Sequence, residues 1–301
     1  MSSFRIAVPH VTGRAALAGS VVLLTLAAWA VLWLSASSET HGIFHVHYQF
    51  GAFGPGAGAA GFMVIFVVGW TVMSLAMMLP TSLPVLTVLH TFARQRADRV
   101  LLVTLAAVGY LAAWTAFGVL VGAANLALQD AIAHGRGVPG WLERASAFGL
   151  LLLAGLFQFS ALKYRCLEKC RSPLGFVLSH WRGRRERWEA FRLGWASGVF
   201  CVGCCWALML LMFLFSAGHL AWMLILGLIM AVEKNLPWGR RISAPVGLIL
   251  IAAAGLLVVA RPDPAALRPG VELCPATPVA TEWRQGAGAE ASPAEKSKPE
   301  T

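Results

Sequence analysis

Residues 195–216 read WASGVFCVGCCWALMLLMFLFS, a largely apolar run without a single charge. Its length is that of a helix crossing a hydrocarbon core, which takes roughly 20 residues for about 30 Å. Inside such a core every backbone N–H and C=O must be paired within the protein, which leaves helices or a closed barrel. The apolar residues here are continuous and do not alternate, so a helix is the reading.

Working outward, similar blocks recur along the chain. Spans are expected at about 15–34, 61–80, 100–124, 145–162, 195–216, 218–232 and 242–260. The fold class predicted is all-α, a polytopic transmembrane bundle of about seven spans. Residues 1–14 form a cytoplasmic N-terminus and 15–260 the bundle. Residues 261–301, rich in Pro, Ala and Glu, cannot bury a core and are expected to be a disordered outer tail. Composition agrees with a protein that has the lipid bilayer as its solvent. The 301 residues are 58% hydrophobic and only 13% charged, against roughly 25% charged in a soluble domain.

The net charge of +10 does not point to nucleic acid. The basic residues sit in short loops between apolar blocks, where topology accounts for them. One set of loops holds Arg5, Arg14, Arg94, Arg96 and Arg99, nine basic residues between Lys163 and Arg192, then Lys234, Arg240 and Arg241. The opposite set holds Arg136 and Arg144. This asymmetry predicts a cytoplasmic N-terminus. The first span is longer than a secretory h-region and reads as an uncleaved anchor. From 61 to 92 the chain stays mostly apolar but is interrupted by Pro80 and Pro84. The spacing predicts a kinked or broken helix there, with a plain proline kink and a cavity-lining break as equal alternatives.

Cysteine placement carries the chemistry. Cys166 and Cys170 lie in one cluster; Cys201, Cys204 and Cys205 lie in the quoted run. Helical spacing stacks Cys201 on Cys205 with Cys204 beside them, and Met209 and Met212 continue that stripe. Soft thiolates and thioethers select Cu(I), Zn or iron–sulfur clusters, and the thioethers favour Cu(I) over Zn. By the loop count, Cys166 and Cys170 lie at the cytoplasmic end of the fourth span. Cys201 lies roughly 14 Å along its helix from the same side. Met77 to Pro80 falls in that half too, and Met73 shares a face with Met77. A reducing cytoplasm keeps thiols free. The plain alternative is packing, since free Cys behaves as a small hydrophobe and Met fills gaps.

Other residues are weaker candidates. His41, His45 and His47 in the first outer loop form a possible outer metal station, or are ordinary loop residues. Glu233 and Lys234 read as interfacial, with the lysine snorkelling, although Glu233 could face the bundle. Gly118 and Gly122 read as helix packing. Cys274 has no evident partner. No nucleotide motif, hydrolase elbow or catalytic carboxylate pair is present in the sequence, so no enzyme is expected.

Three segments together resemble a bacterial family of predicted metal-binding integral membrane proteins, domain of unknown function 2182. They are Trp70 to Pro80, Lys163 to Cys170, and Gly198 to Met209 continuing to Glu233-Lys-Asn-Leu-Pro237. The resemblance runs over about 60–260. It implies a multispanning bundle with a metal role, most concretely copper supply to a partner cuproenzyme. It carries over Met77, Met78, Cys166, Cys170, Cys201, Cys204, Cys205 and Glu233 as site residues. His219 departs from the Met-Asn-Leu type of run expected there.

The expectation is a membrane protein binding Cu(I), or else Zn, mainly at Cys201, Cys204 and Cys205. Cys166 and Cys170 would form a cytoplasmic exchange point, and Met77, Met78 and Met209 weaker sulfur ligands. The ion would pass to a copper-accepting protein. A membrane thiol–disulfide oxidoreductase and a non-catalytic scaffold subunit are the alternatives.

Overall fold

A computed structural model describes residues 10–37, 59–133, 140–213 and 220–260. Among them the chain is helical and contains no strand. The elements are α1 (His10–Ser37), α2 (Ala59–Met78), a 3-10 turn (Pro80–Ser82), α3 (Leu83–Phe92) and α4 (Arg99–Ala133). Then come α5 (Gly140–Phe157), α6 (Ala161–Arg171), α7 (Pro173–His180), α8 (Glu186–Leu210), a second 3-10 turn (Leu211–Phe213), α9 (Leu220–Asn235) and α10 (Gly239–Ala260). The histidines at 41, 45 and 47, His219, Cys274 and the tail lie outside the described residues.

Five of these helices are long and apolar enough to cross a membrane: segments of α1, α2, α4, α8 and α10. A sixth crossing is available if α5 and α6, which meet at 58°, form one bent span. The 16 residues of α9 fall short of the usual crossing length. Large apolar side chains such as Leu23, Trp33, Leu120 and Ile249 are exposed on the outside of the bundle. Patches of this kind suit contact with hydrocarbon or another protein rather than water.

Helix α8 occupies the middle of the bundle. It packs on α4 with almost no side chain between the two backbones. A Cβ placed on Gly194 would run into the Ala106 carbonyl, and one on Gly109 into the Phe191 carbonyl. A Cβ on Gly198 would come within 2.7 Å of both the Ala113 methyl and the Tyr110 carbonyl. Gly194 and Gly198 are one turn apart, the small-xxx-small spacing that lets helices approach closely. Gly118 and Gly122 on α4 serve differently: they seat the α2 side chains Trp70 and Phe66. Trp70 also donates its indole N–H to the Trp114 carbonyl at 2.9 Å.

The chain breaks after α2, where Pro80 and Pro84 supply no N–H. The carbonyl of Met78 accepts from the hydroxyls of Thr81 at 2.7 Å and Tyr110 at 3.0 Å. Ser82 uses its backbone N–H and its hydroxyl to satisfy Leu79. These bonds satisfy the Met78 and Leu79 carbonyls at the break, and Met78 is turned toward α4 and α8. In the loop before α8, the Glu189 carboxylate accepts the N–H groups of Arg182, Gly183 and Arg184. Gly183 has φ +74° there, a left-handed turn suited to glycine. An Arg96–Glu186 ion pair joins this loop to the one before α4.

Gly194→Ala should destabilise the bundle by about 1–3 kcal/mol, because its methyl must displace backbone rather than a flexible side chain. Gly149→Ala, where an added Cβ meets nothing within 4 Å, should be neutral or stabilising by up to about 1 kcal/mol. Thermal unfolding followed by helical circular dichroism in detergent compares the two. Equal midpoints would contradict the close approach.

Candidate metal centre

Three helices bring sulfur to one buried locus. On α8, the thiols of Cys201, Cys204 and Cys205 are all buried. Cys204 and Cys205 donate their S–H groups to the Cys201 carbonyl at 3.1 and 3.0 Å. That back-bonding holds both side chains against their own helix. From α2, Met78 is fully buried and its thioether lies 3.9 Å from Cys205 Sγ. From α6, the Cys170 thiol lies near that of Cys204, close enough for the two to interact electrostatically. Cys166 sits on the α8 backbone at Gly203, where an added Cβ would lie 2.7 Å from its Sγ. Gly203 is thus the position that lets α6 reach the thiol-bearing helix. All five cysteines at these positions are free.

Two residues complete the locus that the sequence reading missed. Tyr110 on α4 places its hydroxyl 2.8 Å from Cys201 Sγ. Lys234 on α9 places its ammonium 2.8 Å from Cys201 Sγ, 3.6 Å from Cys205 Sγ and 3.5 Å from Met78 Sδ. The expectation of a snorkelling, interfacial Lys234 is therefore corrected: its side chain points inward, and the residue is 7% exposed. The reason is local. Burying an ammonium demands compensation, and the α8 thiols with the Thr81 hydroxyl at 3.5 Å supply hydrogen-bond acceptors for it. The available signal was an ionisable pair at the end of an apolar helix, which points to a site rather than a surface. Tyr110 carries no such signal, being one more aromatic in an apolar span.

Glu233, carried over as a ligand candidate, is placed elsewhere. It accepts from Lys163 Nζ at 2.8 and 2.9 Å and from the Ser243 hydroxyl at 2.9 Å. The ion pair is almost wholly buried, with side chains 1% and 3% exposed. Gln158 also accepts from Lys163. Arg171 closes the end of α9 by donating to the Glu233 and Pro237 carbonyls. Successive residues on a helix point about 100° apart. That is how Glu233 faces α6 and α10 while Lys234 faces α2 and α8.

Met77 and Met78 separate in the same way. Met77 is buried against Gly227 of α9, where an added Cβ would lie 3.1 Å from its methyl. Met209 is fully buried in the core, and Met73 and Met212 nearly so.

The donor set fits a soft ion. Thiols and a thioether from α2, α6 and α8 meet in an apolar surround, and sulfur ligands suit Cu(I) and Zn over hard cations. Among the described residues no three His, Cys, Asp or Glu side chains form a group that could hold a metal ion as they stand. The Lys234 ammonium lies among Cys201, Cys205 and Met78. A bound ion would have to share that space with it or displace it.

The sequence matches a family described as PpoB2, a copper chaperone, over residues 67–257. The matched stretch begins in α2 and ends in α10, and so includes every residue of the sulfur locus. No curated protein and no solved structure matches.

Removing one partner of the buried pair leaves an uncompensated charge, at a cost of about 3–5 kcal/mol. Glu233→Met and Lys163→Met should each lower the unfolding midpoint sharply, and the double variant should recover much of the loss. Thermal unfolding of the four proteins gives the coupling. Simple addition of the two losses would contradict a direct pair.

Proposed function

The chain belongs to the PpoB2 copper chaperone family, and from that premise we propose that it is an integral membrane protein that carries Cu(I) at the sulfur locus. The convergence of Cys201, Cys204 and Cys205 of α8 with Cys170 of α6 and Met78 of α2 carries this reading. Thiolates hold Cu(I) firmly, and a thioether holds it weakly enough to release it. An ion bound among both kinds can be passed on, which a chaperone needs and a structural site does not. Cu(I) is favoured over Zn because a thioether adds little for Zn, whose structural sites are built from four thiolate or imidazole ligands.

The residues divide the task. Cys201 and Cys205 are the principal ligands, with Met78 as a labile third. Cys204, near Cys170, links them to α6, and Cys166 beside Gly203 extends this branch. Cys170 is the least buried of the five cysteines and is the exchange point with donor or recipient. Met77 and Met209 are buried thioethers off this locus and serve as weaker stations. Glu233 acts by holding α9 through Lys163 rather than as a ligand. The recipient is a copper-accepting protein, and no catalysis is assigned to the chain.

The loop charges support an N-terminus on the cytoplasmic face of a bacterial inner membrane. In this arrangement α9 is a short sixth span of seven and α5–α6 a bent fourth one. The thiols then lie toward the reducing side, where they remain available as ligands.

The nearness of Cys170 to Cys204 also favours a second reading, thiol–disulfide exchange with a partner dithiol. Anaerobic purification followed by copper analysis and thiol counting separates the two. The chaperone reading predicts stoichiometric copper in wild type, lost in the Ser triple variant at 201, 204 and 205, with the thiols reduced throughout. Copper no higher in wild type than in that variant would contradict it. A mixed disulfide through Cys170 would favour exchange.

A further inference from the structure

We propose that Lys234 makes the sulfur locus selective for a monovalent soft ion over a divalent one. This rests on the copper-site reading above and adds what chooses the ion.

The sulfur atoms alone do not choose. Thiolates bind Zn(II) readily, so a cluster of cysteines in apolar surroundings is open to the more available ion. The distinguishing feature is a positive charge built in beside the donors. The Lys234 ammonium contacts Cys201 Sγ at 2.8 Å, Met78 Sδ at 3.5 Å and Cys205 Sγ at 3.6 Å. Thr81 and the α8 thiols hold it inside the bundle. The carboxylate next to it in sequence is not its partner: Glu233 is committed to Lys163 and Ser243. The charge of Lys234 therefore acts on whatever occupies the locus.

An ion bound by Cys201, Cys205 and Met78 lies a few ångströms from that ammonium. Repulsion between them scales with the charge of the ion, so it is twice as large for Zn(II) as for Cu(I) or Ag(I). Burial weakens the dielectric screening that would blunt the difference in water. Displacing the ammonium does not remove the penalty, because the side chain must then leave its sulfur partners. A monovalent ion that replaces it conserves the charge of the locus, whereas a divalent ion adds one. Lys234 is thus a specificity-determining residue and not a ligand.

The test uses the full chain purified in detergent under anaerobic conditions, with Ag(I) as a redox-inert monovalent probe and Zn(II) as the divalent one. Dissociation constants at one pH are compared for wild type, Lys234→Leu, Lys234→Gln and Lys234→Arg. Wild type should prefer Ag(I). The two neutral variants should narrow the Ag(I):Zn(II) preference by about tenfold or more, mainly through tighter Zn(II), and Lys234→Arg should keep it. An unchanged preference in a folded neutral variant overturns the proposal. A wild type that prefers Zn(II) overturns it without any variant. Ag(I) binding with an unchanged ratio removes only the role of Lys234, whereas a wild type that binds neither ion removes the sulfur site along with it.

Discussion

The backbones of α4 and α8 touch at Gly109, Gly194 and Gly198, and the placing of the α8 sulfurs against their neighbours follows from that contact. With side chains at those points α8 would stand farther from α4, and Tyr110 could not reach Cys201. Cys201 and Cys205 continue the stripe that Gly194 and Gly198 begin, at steps of three and four residues, and Cys204 lies beside it. Past the glycine contact that face meets Tyr110 of α4, Met78 of α2 and Lys234 of α9. Gly203 repeats the device on the side of α6, where it admits Cys166. Small residues here serve proximity, and proximity assembles donors from helices far apart in sequence.

Buried charge is the second constraint. Lys163, Glu233 and Lys234 are all withdrawn from solvent, and isolated ions in such surroundings are costly. Lys163 and Glu233 neutralise each other and, with Ser243 and Gln158, tie α6, α9 and α10 together. That leaves Lys234 to the sulfur atoms. The same two-residue step on α9 thus builds a structural clamp on one side and sets the electrostatics of the candidate site on the other. The proline break after α2 contributes in a comparable way. There Ser82 gives its N–H to Leu79 and leaves the Met78 carbonyl to Thr81 and Tyr110, which fixes the methionine whose thioether lies 3.9 Å from Cys205 Sγ.

The all-helical class and the apolar blocks were legible from composition and run length alone. So was the shared face of Cys201 and Cys205, because a four-residue step is local geometry. Where reading along the chain faltered, the determining partner lay far away. Nothing near Lys234 in sequence announces that thiols at 201 and 205 will accept its protons, so it looked like a lysine at a helix end. Glu233 could not be assigned to Lys163, seventy positions earlier, by any periodicity. Met77 and Met78 were equivalent candidates because the phase of the helix entering a proline break is not fixed by the sequence around it. The 58° bend between α5 and α6 was hidden for a similar reason: the fourth apolar block looks continuous across it.

The central claim is that sulfur from several helices surrounds one copper ion. Copper K-edge X-ray absorption on the anaerobically loaded, purified protein reads the atoms around the ion directly. The account predicts a Cu(I) edge and a first shell made of sulfur alone. A first shell dominated by nitrogen or oxygen would contradict it, since the sulfur locus of α2, α6 and α8 would then not be where the copper resides.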